Sequence, residues 1–315
     1  MPIPLDPDIA SALAFATAQA GEPDVPVRGD ALALRAMAEL NADGEFGNLP
    51  GAPDVSRADH VVAADDGHQI PLRWYTRADR AAPAAVVYLH GGGMICGTLD
   101  SYEPLVRHYV QLTGVPFLAV EYRRAPEFPG EGPATDCFAG LRWMSGHAAE
   151  LGTDTARIAV MGDSAGGGLA AAAAILARED GLALARQILI FPMLDDRNTV
   201  PDPLLAPAAT WTYDNNYTGW LALLGEQLGG PAVSPIAAPA RLTDFAGLAP
   251  AYIEVGDLDI FRDESISYAQ NLMRAGVSCE LHVYPGAPHG HDWLDPDSAI
   301  SKRAVAPRLR LISAL

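Results

Sequence analysis

One stretch of this chain combines residue types that do chemistry at a sharp corner. In "RIAVMGDSAGGGLAAAAAILA", residues 157–177, an apolar run ends in Gly162 and Asp163, Ser164 follows, and an alanine-rich segment begins. A turn alone needs only Gly, Asn or Pro, so the hydroxyl is surplus to it. Gly162, Ser164 and Gly166 form the pattern G-x-S-x-G, which permits a tight strand-to-helix turn that strains the serine backbone and projects its Oγ. The helix behind it aims free N–H groups and the positive end of its dipole at the same point, which suits developing negative charge. A second glycine run, "YLHGGGM" at 88–94, follows another strand-like stretch. With no side chains in the way, the backbone N–H groups of Gly91 and Gly92, joined by that of Ala165, can meet a substrate oxygen as an oxyanion hole. Glycine-rich corners also serve helix packing or cradle phosphate. Here no lysine follows the glycines as a P-loop requires, and "HGGGMICG" lacks the G-x-G-x-x-G spacing. The two runs together predict acyl transfer through Ser164.

A serine hydroxyl is a weak nucleophile and needs a base, which an acid must orient in turn. On a corner of this type the chain order is serine, acid, histidine. Of the eight histidines, His282, His289 and His291 follow Ser164. His282 falls inside a strand-like run, whereas His289 sits in the loop "PGAPHGHD" just beyond it. His289 is therefore the expected base, with His291 the rival two residues on. The segment "EVGDLDIFRDES" offers Asp257, Asp259 and Asp263. Asp263 reads as the N-cap of the helix that follows, and position alone does not separate Asp257 from Asp259.

Strand-like runs that would position these groups occur at 59–64, 69–76, 84–90, 115–122, 157–162, 186–192, 250–256 and 279–285. The first two flank "DDGH", a hairpin turn signal. From residue 84 onward helix-length stretches separate the strands, which predicts a mostly parallel sheet covered on both faces. One such helix, after Asp263, should present Ile266, Ala269, Leu272 and Met273 on its inner face and stop at Gly276. Ligands of such sheets bind at the carboxyl ends of the strands, where Ser164 lies. Two regions break the rhythm. Residues 1–55 read as helical, and 193–247 as irregular and aromatic-rich, with Trp211, Tyr213, Tyr217 and Trp220 close together. They read as two pieces of one cap, whose aromatics would roof a small pocket.

The chain has 315 residues, of which 49% are hydrophobic, enough for a sizeable core. Its net charge is −18, from 21 Lys+Arg against 39 Asp+Glu. That field repels phosphate-rich partners, so neither nucleic acid nor an anionic membrane surface is expected. Cys96, Cys137 and Cys279 are odd in number and scattered, which reads as reduced, buried thiols of a cytoplasmic protein. The apolar start "MPIPLDPDIASALAFATAQAG" carries Asp6 and Asp8 where a signal peptide has positive charge, and reads as a first helix. No apolar run has membrane-spanning length. The oligomeric state is left open, a homodimer included.

In order along the chain, "HGGG", "YRRAPE", "GDSAGG", "PMLDDR", "DIFRDE" and the final His-Gly give the sequence a resemblance to the bacterial hormone-sensitive lipase family of carboxylesterases, from about residue 60 to 300. That resemblance implies an α/β-hydrolase fold with a mostly parallel eight-stranded sheet and a helical cap. It implies a core of 56–192 and 248–315, with the cap built from 1–55 and 193–247. It implies Asp259 as the acid and His289 as the base. Met94 stands where the family usually has an aromatic and His291 where Phe is common; with Trp211, both are expected near the substrate. The implied partner is a small-molecule ester with a short acyl chain, and no cofactor or metal is implied. Amide hydrolysis on the same fold, or non-catalytic binding of a small molecule, are the alternatives. Retention of His289 weighs against the second.

Overall fold

In the computed structural model of the chain, which describes residues 3–20, 26–47, 49–79 and 82–315, every expected strand-like run lies in one sheet. Its strands are β1 (Val55–Ala63), β2 (Gln69–Arg77), β3 (Ala85–Leu89), β4 (Phe117–Val120), β5 (Ile158–Asp163), β6 (Arg186–Ile190), β7 (Ala251–Gly256) and β8 (Cys279–Tyr284). Across the sheet the order is β1-β2-β4-β3-β5-β6-β7-β8. β1 and β2 form the antiparallel hairpin signalled by "DDGH", β2 also runs antiparallel to β4, and the remaining pairs are parallel. β1 begins earlier than the pattern suggested, because the exposed residues that open the hairpin carry no alternation to betray a strand.

Both faces of the central strands are covered, and β3 shows how. All five of its residues are buried; Ala85, Val87 and Leu89 enter one apolar layer while Val86 and Tyr88 enter the other. Side chains alternate across a strand, so a continuous apolar run is what two covered faces require. The helices are α1 (Pro7–Ala20), α2 (Ala31–Glu45), α3 (Leu99–Thr113), α4 (Gly132–His147), α5 (Ala165–Asp180), α6 (Tyr213–Leu224), α7 (Arg262–Arg274), the single turn α8 (His291–Leu294) and α9 (Ala299–Ser313). α4, α5 and α7 cover the first face and α3 with α9 the second. The N-terminal helices lie outside this sandwich. α2 docks through Arg35, whose guanidinium donates to the carbonyls of Ile95 (2.5 Å) and Ala125 (2.7 Å) and pairs with Glu127.

α7 departs from its expected start. Phe261, not Asp263, occupies the N-cap position, without a side-chain cap; Asp263 sits in the first turn and pairs with Arg262 at 2.7 Å. Its inner face is Glu264, Ser265, Tyr268, Ala269 and Leu272, while Met273 is exposed. The chain turns two residues sooner than an Asp263 cap would dictate, because Asp259 has its own backbone to hold: it accepts from the N–H of Phe261 at 2.9 Å. Cys96 and Cys137 are buried as expected, whereas Cys279 on β8 is only half-buried.

Candidate active site

The strand leading to Ser164 extends one residue further than the apolar run, through Asp163, so Ser164 follows it directly. Its backbone stands at φ 55°, ψ −122°, a left-handed conformation that side chains other than glycine rarely adopt. Three hydrogen bonds hold it there. Its N–H donates to the carbonyl of Ile190 (2.9 Å), and its own carbonyl accepts from Gly168 (3.1 Å) and Met193 (2.9 Å). The flanking glycines are obligatory for close approach. A Cβ on Gly166 would lie 2.0 Å from the carbonyl oxygen of Leu89, and one on Gly162 would lie 2.2 Å from that of Gly166. α5 can therefore press its first turn directly onto the ends of β3 and β5.

Ser164 Oγ lies 3.0 Å from His289 Nε2, and His289 Nδ1 lies 2.8 Å from Asp259 Oδ2. An ionised carboxylate only accepts, so the Nδ1 edge carries the proton and Nε2 offers its lone pair to the serine hydroxyl. All three residues are buried, with Asp259 fully enclosed. Of the candidate acids, Asp259 is the one brought to His289; Asp257 instead accepts from the backbone N–H of Gly286 at 2.7 Å. The imidazole of His289 is wedged edge-on between two rings, Phe191 at 4.7 Å and Phe261 at 5.0 Å between centroids. His282 stays on β8, where it contacts Glu280 at 2.9 Å.

The glycine loop meets the serine corner from the end of β3. Gly91 is buried, and a Cβ there would lie 2.4 Å from Asp163 Oδ2; Gly92 is partly exposed and has φ +107°. Gly92 is thus the member of the pair that opens toward an incoming molecule. The loop rests on a buried polar layer that the sequence reading did not single out. Asp163 accepts from the hydroxyls of Tyr88 and Tyr102, and burial, then the Asp163 charge, pushes Tyr88 well above the usual tyrosine range. His90 stacks on Tyr122 at 4.2 Å and donates from Nδ1 to the carbonyl of Gly91 at 2.8 Å. Burial pulls His90 down to about 4, so it is neutral at pH 7. The signal for this layer was present in "HGGG" and "GDSAG", whose His and Asp are both enclosed.

The residues expected near the substrate are placed unequally. Trp211 is half-buried beside the glycine loop, close enough that a Cβ on Gly93 would lie 2.6 Å from its ring. Met94 is fully enclosed at φ 62°, its methyl 3.6 Å from where a Cβ on Gly168 would stand. His291 is also fully enclosed, beside Phe191 and Tyr284, and neither ring nitrogen meets a partner among the described residues. Met94 and His291 therefore present no surface to an incoming molecule in this conformation. Of the expected aromatic roof, only Trp211 lies on the glycine loop: Trp220 and Tyr213 are core residues, and Tyr217 stacks under Arg28 at 4.0 Å.

Clefts among the described residues also lie away from this site. One of about 470 Å³ is lined by Asp195, Asp202, Tyr213, Asp263 and Glu264; another of about 540 Å³, between α2 and α6, by Asp30, Leu32, Pro126 and Leu221. Glu264 accepts from the backbone N–H groups of Leu194 (2.6 Å) and Asp195 (3.2 Å), tying the segment after β6 to α7. Burial pushes its carboxyl well above the usual range. Among the described residues no His, Cys, Asp and Glu are grouped so as to hold a metal ion, and no helix is long and apolar enough to cross a membrane.

A serine on a strained strand-to-helix corner, within a mostly parallel sheet of this order, defines an α/β hydrolase. Residues 86–292 match the family model described as alpha/beta hydrolase fold, and the chain belongs to this family, in its hormone-sensitive lipase branch. The chain is 35% identical over 244 residues to Carboxylesterase NlhH of Mycobacterium tuberculosis, covering 76% of each chain. It is 35% identical over 245 residues to an ethyl acetate hydrolase of Pseudomonas putida, covering 74% of each. Among solved structures it resembles a bacterial heroin esterase with a TM-score of 0.87 and 36% identity, over 98% of this chain and 97% of that one.

Proposed function

We propose that the chain hydrolyses short-chain acyl esters through a covalent acyl-enzyme on Ser164. The chain is a carboxylic ester hydrolase. His289 removes the proton from Ser164 Oγ as the oxygen attacks the ester carbonyl, and Asp259 keeps the imidazole in the required tautomer and balances its charge. The backbone N–H groups of Gly91, Gly92 and Ala165 receive the oxyanion. His289 then protonates the departing alcohol, and a water molecule, deprotonated by the same imidazole, releases the acid from Ser164. The observation that carries this reading is the unbroken relay from Ser164 through His289 to Asp259, with contacts of 3.0 and 2.8 Å.

In this reading residues 56–192 and 248–315 are the hydrolase core, and 1–55 with 193–247 form the cap. Trp211, leaning on Gly93, supports a roof over the glycine loop. Under such a roof each added methylene contributes up to about 0.8 kcal/mol only until the pocket is full. The name of the Pseudomonas relative, an ethyl acetate hydrolase, points the same way. Two measurements test the proposal. A serine-directed phosphonate should label the peptide containing Ser164; labelling elsewhere overturns the nucleophile. In a p-nitrophenyl ester series, kcat/KM should peak between acetyl and about hexanoyl; a peak at long chains, or a jump when substrate forms micelles, overturns the chain-length assignment.

A further inference from the structure

A buried cation links the two segments that carry His289 and Asp259, and nothing in the reaction as written above uses it. Arg308, on α9, is 1% exposed. Its Nη1 donates to Asp292 Oδ2 at 2.6 Å and its Nε to Glu254 Oε1 at 2.9 Å, while Nη1 also meets the hydroxyl of Tyr109 at 3.1 Å. Glu254 belongs to β7, whose end leads within a few residues to Asp259. Asp292 belongs to α8, the turn that follows His289. One guanidinium thus fastens the strand that delivers the acid to the turn that follows the base.

The same cluster supports the ring that packs on the imidazole. The backbone N–H of Phe191 donates to the carbonyl of Glu254 at 2.7 Å, and the guanidinium carbon of Arg308 lies 6.0 Å from the centre of the Phe191 ring. Phe191 stands at φ 33°, a left-handed conformation that a bulky aromatic rarely adopts. Strain of this kind persists only where the surroundings over-determine it. Here it aims the ring at His289.

We infer that Arg308, acting through Asp292 and Glu254, is a positioning residue that fixes the His289 imidazole between Ser164 and Asp259. This rests on the hydrolase reading given above. Stability alone is a weak reason for such a cluster, since burying an ion pair costs several kcal/mol and a well-packed apolar replacement is often as stable. A guanidinium held by carboxylates on two elements does what an apolar contact does not: its planar fork sets direction as well as distance. Direction matters to a base, because a displacement of about 1 Å can lower the rate roughly 10²-fold.

The test compares Arg308→Lys, which keeps the charge and loses the fork, with Asp292→Asn, which leaves Arg308 paired to Glu254. Arg310→Gln, on the same helix as Arg308, breaks an exposed ion pair with Glu280 of β8 and is the control. Each is assayed about 20 °C below its own Tm, with p-nitrophenyl acetate and with the phosphonate label. The expected result is a 10- to 100-fold fall in kcat for both variants, with KM changed less than about threefold, a parallel fall in the labelling rate of Ser164, and an unchanged control. A kcat within twofold of wild type, whatever happens to Tm, overturns the inference and leaves Arg308 a structural staple. If Arg308→Lys does not fold, Asp292→Asn carries the same expectation and the same refutation. Wild-type protein that the phosphonate does not label at Ser164 overturns the hydrolase reading itself.

Discussion

Replacing Asp259 by Asn removes one charge and changes almost no volume, yet the surroundings of Asp259 dictate a large effect. Its Oδ1 accepts from the N–H of Phe261 at 2.9 Å and its Oδ2 faces His289 Nδ1 at 2.8 Å, in a fully buried setting. An introduced amide must keep its oxygen toward Phe261, because that N–H can only donate. Its NH2 group then faces Nδ1 and donates to it. The imidazole proton is driven to Nε2, which points an N–H at Ser164 and can no longer act as base. Productive catalysis requires the opposite amide orientation, with NH2 against the Phe261 N–H. That leaves two buried donors unsatisfied at about 1–3 kcal/mol each, or about 2–6 kcal/mol together. At 1.36 kcal/mol per decade this is a fall of roughly 30-fold to 10⁴-fold in kcat. The assay is steady-state hydrolysis of p-nitrophenyl acetate, with Asp257→Asn as the comparison, since the Asp257 carboxylate accepts from the N–H of Gly286 and not from His289. Asp257→Asn should stay within about threefold of wild type. Should Asp259→Asn keep more than a tenth of wild-type kcat, or Asp257→Asn prove the more damaged, the tautomer argument is wrong.

The remaining expectations are shorter. Burial holds His90 at about 4 and lowers His291 as well, so in the folded chain both stay neutral at pH values where the unfolded chain takes up their protons. Stability should therefore fall as pH drops from about 6.5 toward 4, by up to about 3 kcal/mol from His90 alone; a flat thermal-melt profile over that range contradicts it. His291→Phe removes two ring nitrogens without partners among the described residues, so it should raise Tm, and by more at pH 5 than at pH 8. Gly166→Ala should abolish soluble folded protein or lower Tm by more than about 10 °C, because its Cβ would stand 2.0 Å from the Leu89 carbonyl; a Tm within about 3 °C of wild type means that contact relaxes easily. Trp211→Ala should move the best acyl chain at least two carbons longer, and an unmoved optimum dissociates Trp211 from the roof.

Legibility in the sequence followed the physical range of each signal. Strands such as β3 announced themselves, because two covered faces demand an unbroken apolar run. The serine corner was equally plain, since its glycines are set by contacts within the same turn. Asp259 was not separable from Asp257 by position, because two residues on a loop differ only in which way the chain points them. The Asp263 cap failed for a related reason: the hydrogen bond from Phe261 to Asp259 begins the helix earlier, and a cap rule sees only the helix's own residues. Arg308 was invisible. In "AISKRAVAPRLRLIS" it is one arginine among several, and only the tertiary arrangement distinguishes it from the exposed Arg310.

The helix behind Ser164 constrains what the molecule can become. From Ala165 to Ala174 α5 is wholly buried, and apart from Leu169 it consists of glycine and alanine. Such residues have no rotamers to redistribute, so this scaffold has one arrangement and no local slack. Almost any substitution there adds atoms to a filled space, as the 2.1 Å between a Cβ on Gly168 and the Met193 carbonyl illustrates. Trp211 and Tyr217, only half-buried, are not hemmed in this way. Variation that survives selection should therefore accumulate around those residues and spare α5. A directed-evolution library spread evenly over the gene should return altered substrate preference from residues 193–247 and mostly inactive protein from 162–174.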